Sequence, residues 1–231
     1  MSNIIDDSDV LPLDPLPGRG EDGAVQPLEV EVKFLLRDFD AFRKRLAAKG
    51  AELVAPRVFE LNVRFDTADG ALLARQELLR LRQDTRARLT FKGPSAEDAK
   101  SEAKVREEIE LEIGDFERMS AVLQRLGFLP VQTYEKYRET YHWRGVEIVL
   151  DELPFGKFIE LEGEDAELKG VAEALGLDWS RRILGNYLGL MELCRRSFAL
   201  DFSDLTFDNF SGRAIDMGEL LPVCTLQELE G

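Results

Sequence analysis

The chain has 231 residues and is acidic, with 45 Asp and Glu against 30 Lys and Arg, a formal net charge of −15. General nucleic-acid binders carry the opposite balance, so no nucleic-acid partner is expected, whereas a phosphorylated small molecule still fits if basic residues gather in one cavity. The single histidine, His142, excludes zinc sites built on clustered histidines, and no apolar run approaches membrane-spanning length, so no membrane partner is expected either.

An apolar fraction of 44% over this length is enough for one sizeable core. Cys194 and Cys224 make neither a disulfide framework nor a metal pattern, which points to a reducing, cytoplasmic setting. Residues 1–27 carry Pro12, Pro15, Pro17 and Pro27 and read as a leader outside the core. A strand follows over about 28–36. Its alternation puts Glu29, Glu31 and Lys33 on one face and Val30, Val32 and Phe34 on the other. Asp38 is the expected N-cap of a helix over about 38–49, with Phe39, Phe42 and Leu46 inward and Gly50 as its stop.

Strands are expected next over 58–65, 77–83 and 86–92. The turn Asp66-Thr67-Ala68-Asp69-Gly70 separates the first two. In 79–82 the arginines Arg80 and Arg82 share a face, and Arg86, Arg88, Thr90 and Lys92 do so in the following strand. After a polar loop over 95–102, the stretch 105–113 shows Arg106, Glu108, Glu110 and Glu112 on one face. A second helix opens at Asp115, with Phe116, Met119, Leu123 and Leu126 expected inward, and stops at Gly127. The two helices match without a gap: the Asp pair and the Gly pair are each separated by 77 residues, and the same offset lays Glu31 over Glu108 and Lys33 over Glu110.

Three more strands are expected, over 134–143, 145–152 and 157–163, then a helix over about 180–196 that packs Ile183, Leu184, Tyr187, Leu188, Leu190 and Met191. The chain thus reads as two strand–helix–strand–strand–strand halves. The expected fold is α+β: an eight-stranded, mainly antiparallel closed barrel forming a tunnel, with flanking helices. Two open sheets, each with one wet face, are the alternative. The domain is expected over 28–196. The extension 197–231 alternates Asp with Phe202, Leu205, Phe207 and Phe210, and either folds back or makes a homodimer contact.

The charged strand positions form two sets. Lys33, Arg64, Arg80, Arg82, Lys92, Arg106, Lys136 and Arg138 are basic; Glu29, Glu31, Glu108, Glu110, Asp151, Glu160 and Glu162 are acidic. Lining a barrel with both signs is costly unless each charge is paired, hydrated or meets a ligand. A polyphosphate with a divalent cation meets that need: arginine forks grip phosphate oxygens and carboxylates hold Mg²⁺ or Mn²⁺.

Glu29-x-Glu31-x-Lys33 resembles the ExExK motif of the CYTH superfamily, the triphosphate tunnel metalloenzymes. The rest agrees in order: Phe65-Asp66-Thr67, Leu79-Arg80-Leu81-Arg82, Thr90-Phe91-Lys92-Gly93, Arg106-Glu107-Glu108-Ile109-Glu110, Lys136-Tyr137-Arg138, Leu150-Asp151 and Phe158-Ile159-Glu160-Leu161-Glu162. The resemblance covers about residues 28–191. It implies that Lys33, Arg80, Arg82, Lys92 and Arg138 grip a triphosphate, and that Glu29, Glu31, Asp151, Glu160 and Glu162 bind Mg²⁺ or Mn²⁺. Glu29, Glu31 and Lys33 are then the catalytic candidates, with Arg64, Arg106, Glu108, Glu110 and Lys136 as further tunnel residues. Where many relatives carry Lys-Ser-Tyr in the last helix, this chain has Gly185-Asn186-Tyr187, and Arg181 or Arg182 is the candidate substitute for the missing lysine.

The implied activity is hydrolysis of inorganic tripolyphosphate or an organic triphosphate. A class IV adenylyl cyclase making cyclic AMP and pyrophosphate is the alternative, and it needs a purine pocket that no residue set marks. A non-catalytic polyphosphate-binding module is a third reading, to which the paired carboxylates are no help.

Overall fold

The computed structural model describes residues 28–94, 102–224 and 226, with only the backbone of Leu28 and Glu29. The expected leader over 1–27 and nearly all of the expected 95–102 loop lie outside the described residues.

Eight antiparallel strands close into a barrel: β1 (Leu28–Leu35), β2 (Glu52–Asp66), β3 (Leu78–Gln83), β4 (Ala87–Pro94), β5 (Lys104–Ile113), β6 (Leu129–Trp143), β7 (Val146–Leu153) and β8 (Gly156–Glu162). The ring order is β1-β5-β4-β3-β2-β6-β7-β8. The halves are interleaved: β2-β3-β4 and β6-β7-β8 are meanders, and the first strand of each half pairs with the last strand of the other. Exchanging the halves maps this ring onto itself, as the internal sequence match leads one to expect.

The matched helices α1 (Phe39–Ala48) and α3 (Phe116–Arg125) begin and end alike. Asp38 accepts from the Ala41 amide and Asp115 from the Arg118 amide, both at 2.9 Å. Gly50 and Gly127 both take positive φ, 73° and 93°, which glycine reaches without the Cβ clash other residues meet. Phe39, Phe42 and Leu46 of α1 pack on the outward Val32, Phe34, Ile148, Leu150, Ile159 and Leu161. That outward row is half of the alternation read from β1, and its burial forces the charged half into the lumen.

Several boundaries differ from expectation. The strands expected over 58–65 and 134–143 are longer, β2 and β6 pairing along almost their whole lengths. Pro56 lies in a register shift between Ala55 and Val58, where a residue without an N–H interrupts the ladder but not the strand. Leu126, expected inward, is 69% exposed beyond the end of α3, and Phe128 packs in its stead. Helix α4 (Asp165–Ala174) was not expected; its Leu168, Val171 and Ala172, with Leu175 after it, cover the α1 side of the barrel. A four-residue helix α2 (Ala71–Ala74) fills the link between β2 and β3.

The helix expected over 180–196 begins seven residues late, as α5 (Tyr187–Ser197). Before it, Ile183 is extended and pairs its backbone with Lys33 in both directions, at 2.7 and 3.1 Å. Leu184 is therefore exposed rather than packed. Asn186 caps α5 by accepting from the Gly189 amide at 2.8 Å. Of the extension 197–231, the described part lies against the barrel: Leu205 exchanges backbone bonds with Thr133 and Glu135, and the Cys224 amide donates to the Leu35 carbonyl. Leu205, Phe210 of α6 (Phe207–Phe210) and Met217 join Tyr187, Leu190, Met191 and Cys194 in one apolar cluster across an end of the barrel. Among the described residues no helix is long and apolar enough to cross a membrane.

Candidate functional site

The lumen is a cavity of about 560 Å³. Among the described residues nine basic and six acidic side chains line it, so these together are net positive inside a protein of net charge −15. Seven of the eight strands supply lining residues, β2 being the exception, and the device is shared: the inward row is largely polar and the outward row is held by the core.

On β1, Lys33 lies between two acids, its Nζ 2.7 Å from Glu31 Oε2 and 3.0 Å from Glu160 Oε1 of β8. Lys104, at the start of β5, donates to the other oxygen of Glu31 at 3.1 Å. Burial alone would push the Glu31 carboxyl up, but Lys33, Lys104 and Lys92 outweigh it and Glu160, bringing it to about 2. Burial would likewise lower Lys33, and Glu160 with Glu31 reverses this and holds its ammonium above the usual range. Glu31, Glu160 and Glu162 each place a carboxylate oxygen within 4.8 Å of the others. A hard divalent cation takes such oxygen donors, and three carboxylates at this spacing fit one. The Glu29 side chain lies outside the described residues.

Asp151, expected among the metal ligands, is not in that group. It is fully buried, and Oδ2 accepts from Lys136 at 2.8 Å, from Arg138 at 2.7 Å and from the Tyr187 hydroxyl at 2.9 Å, while Oδ1 accepts from Arg138 Nε at 2.8 Å. Its two oxygens hold Arg138, Lys136 and the Tyr187 phenol in place along one side of the lumen. Arg138 also reaches Glu160 Oε2 at 2.5 Å, linking the acidic and basic parts of the lumen.

The opposite wall is built by β3, β4 and β5. Arg80 donates to the Tyr134 hydroxyl at 3.3 Å and to Thr90 at 3.1 Å, with Glu110 at 3.7 Å. Arg82 donates to Asn62 at 2.9 Å. Burial and the adjacent Arg80 lower the Arg82 guanidinium, and Glu60 only partly offsets them. Lys92 pairs with Glu108 at 3.2 Å. Lys136 is 2% exposed and lines the lumen.

Two expected tunnel residues are placed differently. Arg106 lines the cavity, but its guanidinium clamps the carbonyls of Gln76, Lys92 and Gly93. Arg64 faces a second cavity, of about 730 Å³, which adjoins the first beside α5 and shares Leu78, Lys104, Arg106, Asn186 and Leu188 with it. Neither Arg181 nor Arg182 takes the place of the missing lysine: Arg181 bonds Asp178 and the Val223 carbonyl, Arg182 the carbonyls of Glu102 and Trp179. His142 is exposed on β6.

The sequence reading missed Glu60, Asn62, Arg88, Lys104, Tyr134 and Glu147. For Glu60 and Asn62 a signal was present, since with Arg64 and Asp66 they alternate with Leu61, Val63 and Phe65. Lys104 stands at the junction of a polar loop and a strand, where alternation has not yet begun, and only the pairing of Glu31 with Lys104 brings it to the site.

Residues 27–182 match the family model for the CYTH domain. A protein of Methanocaldococcus jannaschii named "Putative adenylate cyclase MJ0240" is 29% identical over 178 residues, covering 72% of this chain and 99% of its own length. "Adenylate cyclase CyaB" of Aeromonas hydrophila is 28% identical over 187 residues, covering 75% and 92%. Among solved structures, a conserved hypothetical protein from Pyrococcus furiosus superposes with a TM-score of 0.58 at 30% identity, over 70% of this chain and 99% of that one.

Proposed function

The chain belongs to the CYTH domain family, and from that premise we propose that it binds a triphosphate inside the barrel and hydrolyses it with the help of Mg²⁺ or Mn²⁺. Two relatives carry adenylate cyclase names, and the resemblance to the triphosphate tunnel metalloenzymes implies triphosphate chemistry that depends on a divalent metal, for which this chain supplies a cluster of three carboxylates. The observation that carries the reading is the division of charge within one lumen. The guanidiniums of Arg80, Arg82 and Arg138 and the ammoniums of Lys92 and Lys136 line it together with the Glu31, Glu160 and Glu162 cluster.

The chemistry of these groups follows from their positions. Arg80, Arg82 and Arg138 present planar forks, which match phosphate oxygens two at a time. Each is already oriented by a neighbour (Thr90 and Tyr134, Asn62, Asp151), so little reorganisation is needed as charge develops on the transferred phosphoryl group. When bound by the three glutamates, a divalent cation supplies Lewis-acid polarisation of phosphoryl oxygens and offsets the repulsion between carboxylates and substrate. Lys33 bridges Glu31 and Glu160 in the structure, and it would turn one or more of its donors toward phosphate as those carboxylates take up the cation.

A second reading, cyclisation of a nucleoside triphosphate, is favoured by two observations. The relatives from Methanocaldococcus jannaschii and Aeromonas hydrophila carry adenylate cyclase names. The second cavity, with Leu73, Leu78, Val131 and Leu188 in its wall, adjoins the tunnel and has room for a base. One experiment separates the readings: incubation with tripolyphosphate, ATP or thiamine triphosphate in Mg²⁺ or Mn²⁺, with products resolved by phosphorus NMR. Orthophosphate release supports hydrolysis; cyclic AMP with pyrophosphate supports cyclisation. Undiminished turnover in chelator overturns the metal role, and no turnover of any of the three overturns both readings.

A further inference from the structure

We propose that Glu60 is a positioning residue for this chemistry, one that sets the spacing and aim of Arg82 and Lys136 without itself meeting the substrate; the proposal rests on the triphosphate reading above. Glu60 lies in the middle of β2, faces the barrel interior and is 1% exposed. Its cross-strand partner on β6 is Lys136, and two residues further along β2, Asn62 stands opposite Arg82 of β3. The carboxylate therefore sits between cations supplied by the two neighbouring strands. Oε1 is 3.4 Å from Arg82 Nη1 and Oε2 is 3.6 Å from Lys136 Nζ.

These separations are longer than the roughly 2.7–2.9 Å of a charge-assisted hydrogen bond. The short bonds of the two cations go elsewhere, Lys136 to Asp151 at 2.8 Å and Arg82 to Asn62 at 2.9 Å. Among the described residues Glu60 Oε2 has no hydrogen-bond partner. Arg82 and Lys136 line the cavity and Glu60 does not. The acid thus grips neither cation; it balances both from behind the lumen wall. A buried carboxylate with an unsatisfied oxygen carries a desolvation cost, which the two flanking cations offset. Its contribution is electrostatic: it offsets the mutual repulsion of two buried cations and fixes the distance at which they meet phosphate oxygens.

Removing this charge has two opposed consequences. The lumen becomes more positive and draws a polyanion more strongly, while the two cations lose their fixed spacing. Binding and turnover should then move in opposite directions, which loss of a merely structural residue would not produce.

The test uses the full chain and tripolyphosphate as the binding probe. Calorimetry without metal gives affinity and stoichiometry, and kcat is measured on whichever triphosphate the parent turns over. Glu60→Gln should keep its stoichiometry, bind about threefold or more tighter and lose about tenfold or more in kcat. Glu60→Asp keeps the charge but withdraws it by one methylene; it should lose a similar factor in kcat with affinity unchanged within about twofold. Parental kcat in Glu60→Gln, or lost kcat with unchanged or weaker binding, overturns the assignment. If Glu60→Gln loses stoichiometry because it does not fold, Glu60→Asp decides alone, and parental kcat there overturns it. A parent that neither binds tripolyphosphate nor turns over any triphosphate overturns the functional reading, whereas an active parent matched by both variants overturns only the role of Glu60.

Discussion

The Tyr187 hydroxyl donates to Asp151 Oδ2 at 2.9 Å, and this one bond ties the first residue of α5 to a carboxylate buried in the barrel wall. Asp151 and Glu160 hold the phenol well above its usual range, together with burial, the largest cause. The ring also packs edge-on against Phe158, at 5.4 Å between centroids.

Tyr187→Phe keeps that packing and removes only the hydrogen bond. Asp151 retains Lys136 and Arg138, so the cost should be about 1–2 kcal/mol, read as a fall in Tm of roughly 3–6 °C. Because Lys136 and Arg138 share the same carboxylate, KM for the triphosphate should rise as well. A thermal melt beside steady-state kinetics checks both.

Glu31→Gln preserves size and takes one carboxylate from the cluster with Glu160 and Glu162. The metal concentration for half-maximal activity should rise by about tenfold or more, and excess metal should restore part of the activity. Metal titration of both proteins at saturating substrate decides; an unchanged midpoint would mean that Glu31 is no ligand.

Arg82→Lys keeps the charge but replaces a fork with a point, and the bond to Asn62 is lost or shortened away from its partner. KM should rise about tenfold and kcat should fall. Arg182→Ala is the control: its guanidinium bonds two carbonyls outside the lumen, so both constants should stay within about twofold of the parent.

Asp66 gives a pH-dependent prediction. Its carboxylate accepts from the amides of Thr67, Leu72 and Leu73, which stitch the end of β2 to α2. Burial would raise its carboxyl, yet these amides win and hold it below the usual 3.8. A depressed carboxyl contributes stability that is fully present above its unfolded value and is lost as pH falls through the folded one. Asp66→Asn should therefore be destabilised by about 1–3 kcal/mol at pH 7, with the gap to the parent closing as pH drops below 3.8. Urea unfolding at a series of pH values measures that gap.

The amino-acid sequence by itself determined the strands and their faces, because alternation is a local property that burial of the apolar row converts directly into an inward polar row. It determined the two halves as well, through the Asp38 and Asp115 caps and the glycines at 50 and 127, whose roles need only a few neighbouring residues. The inward placement of Glu31, Lys33, Arg80, Arg82, Lys92 and Arg138 was legible for the same reason. Tertiary structure alone decided which charge meets which. Asp151 was expected among the metal ligands, but the folded barrel places it outside the Glu31, Glu160 and Glu162 group and against Lys136, Arg138 and Tyr187. Lys104 entered the site only through the pairing of β1 with β5. Arg64 has the same alternation as its neighbours but faces the second cavity, because a strand's position along the barrel axis, and not its periodicity, sets which part of the interior each side chain reaches. Partnerships between residues on different strands depend on register and ring order, and those are settled by closure of the whole barrel rather than by any one stretch of chain.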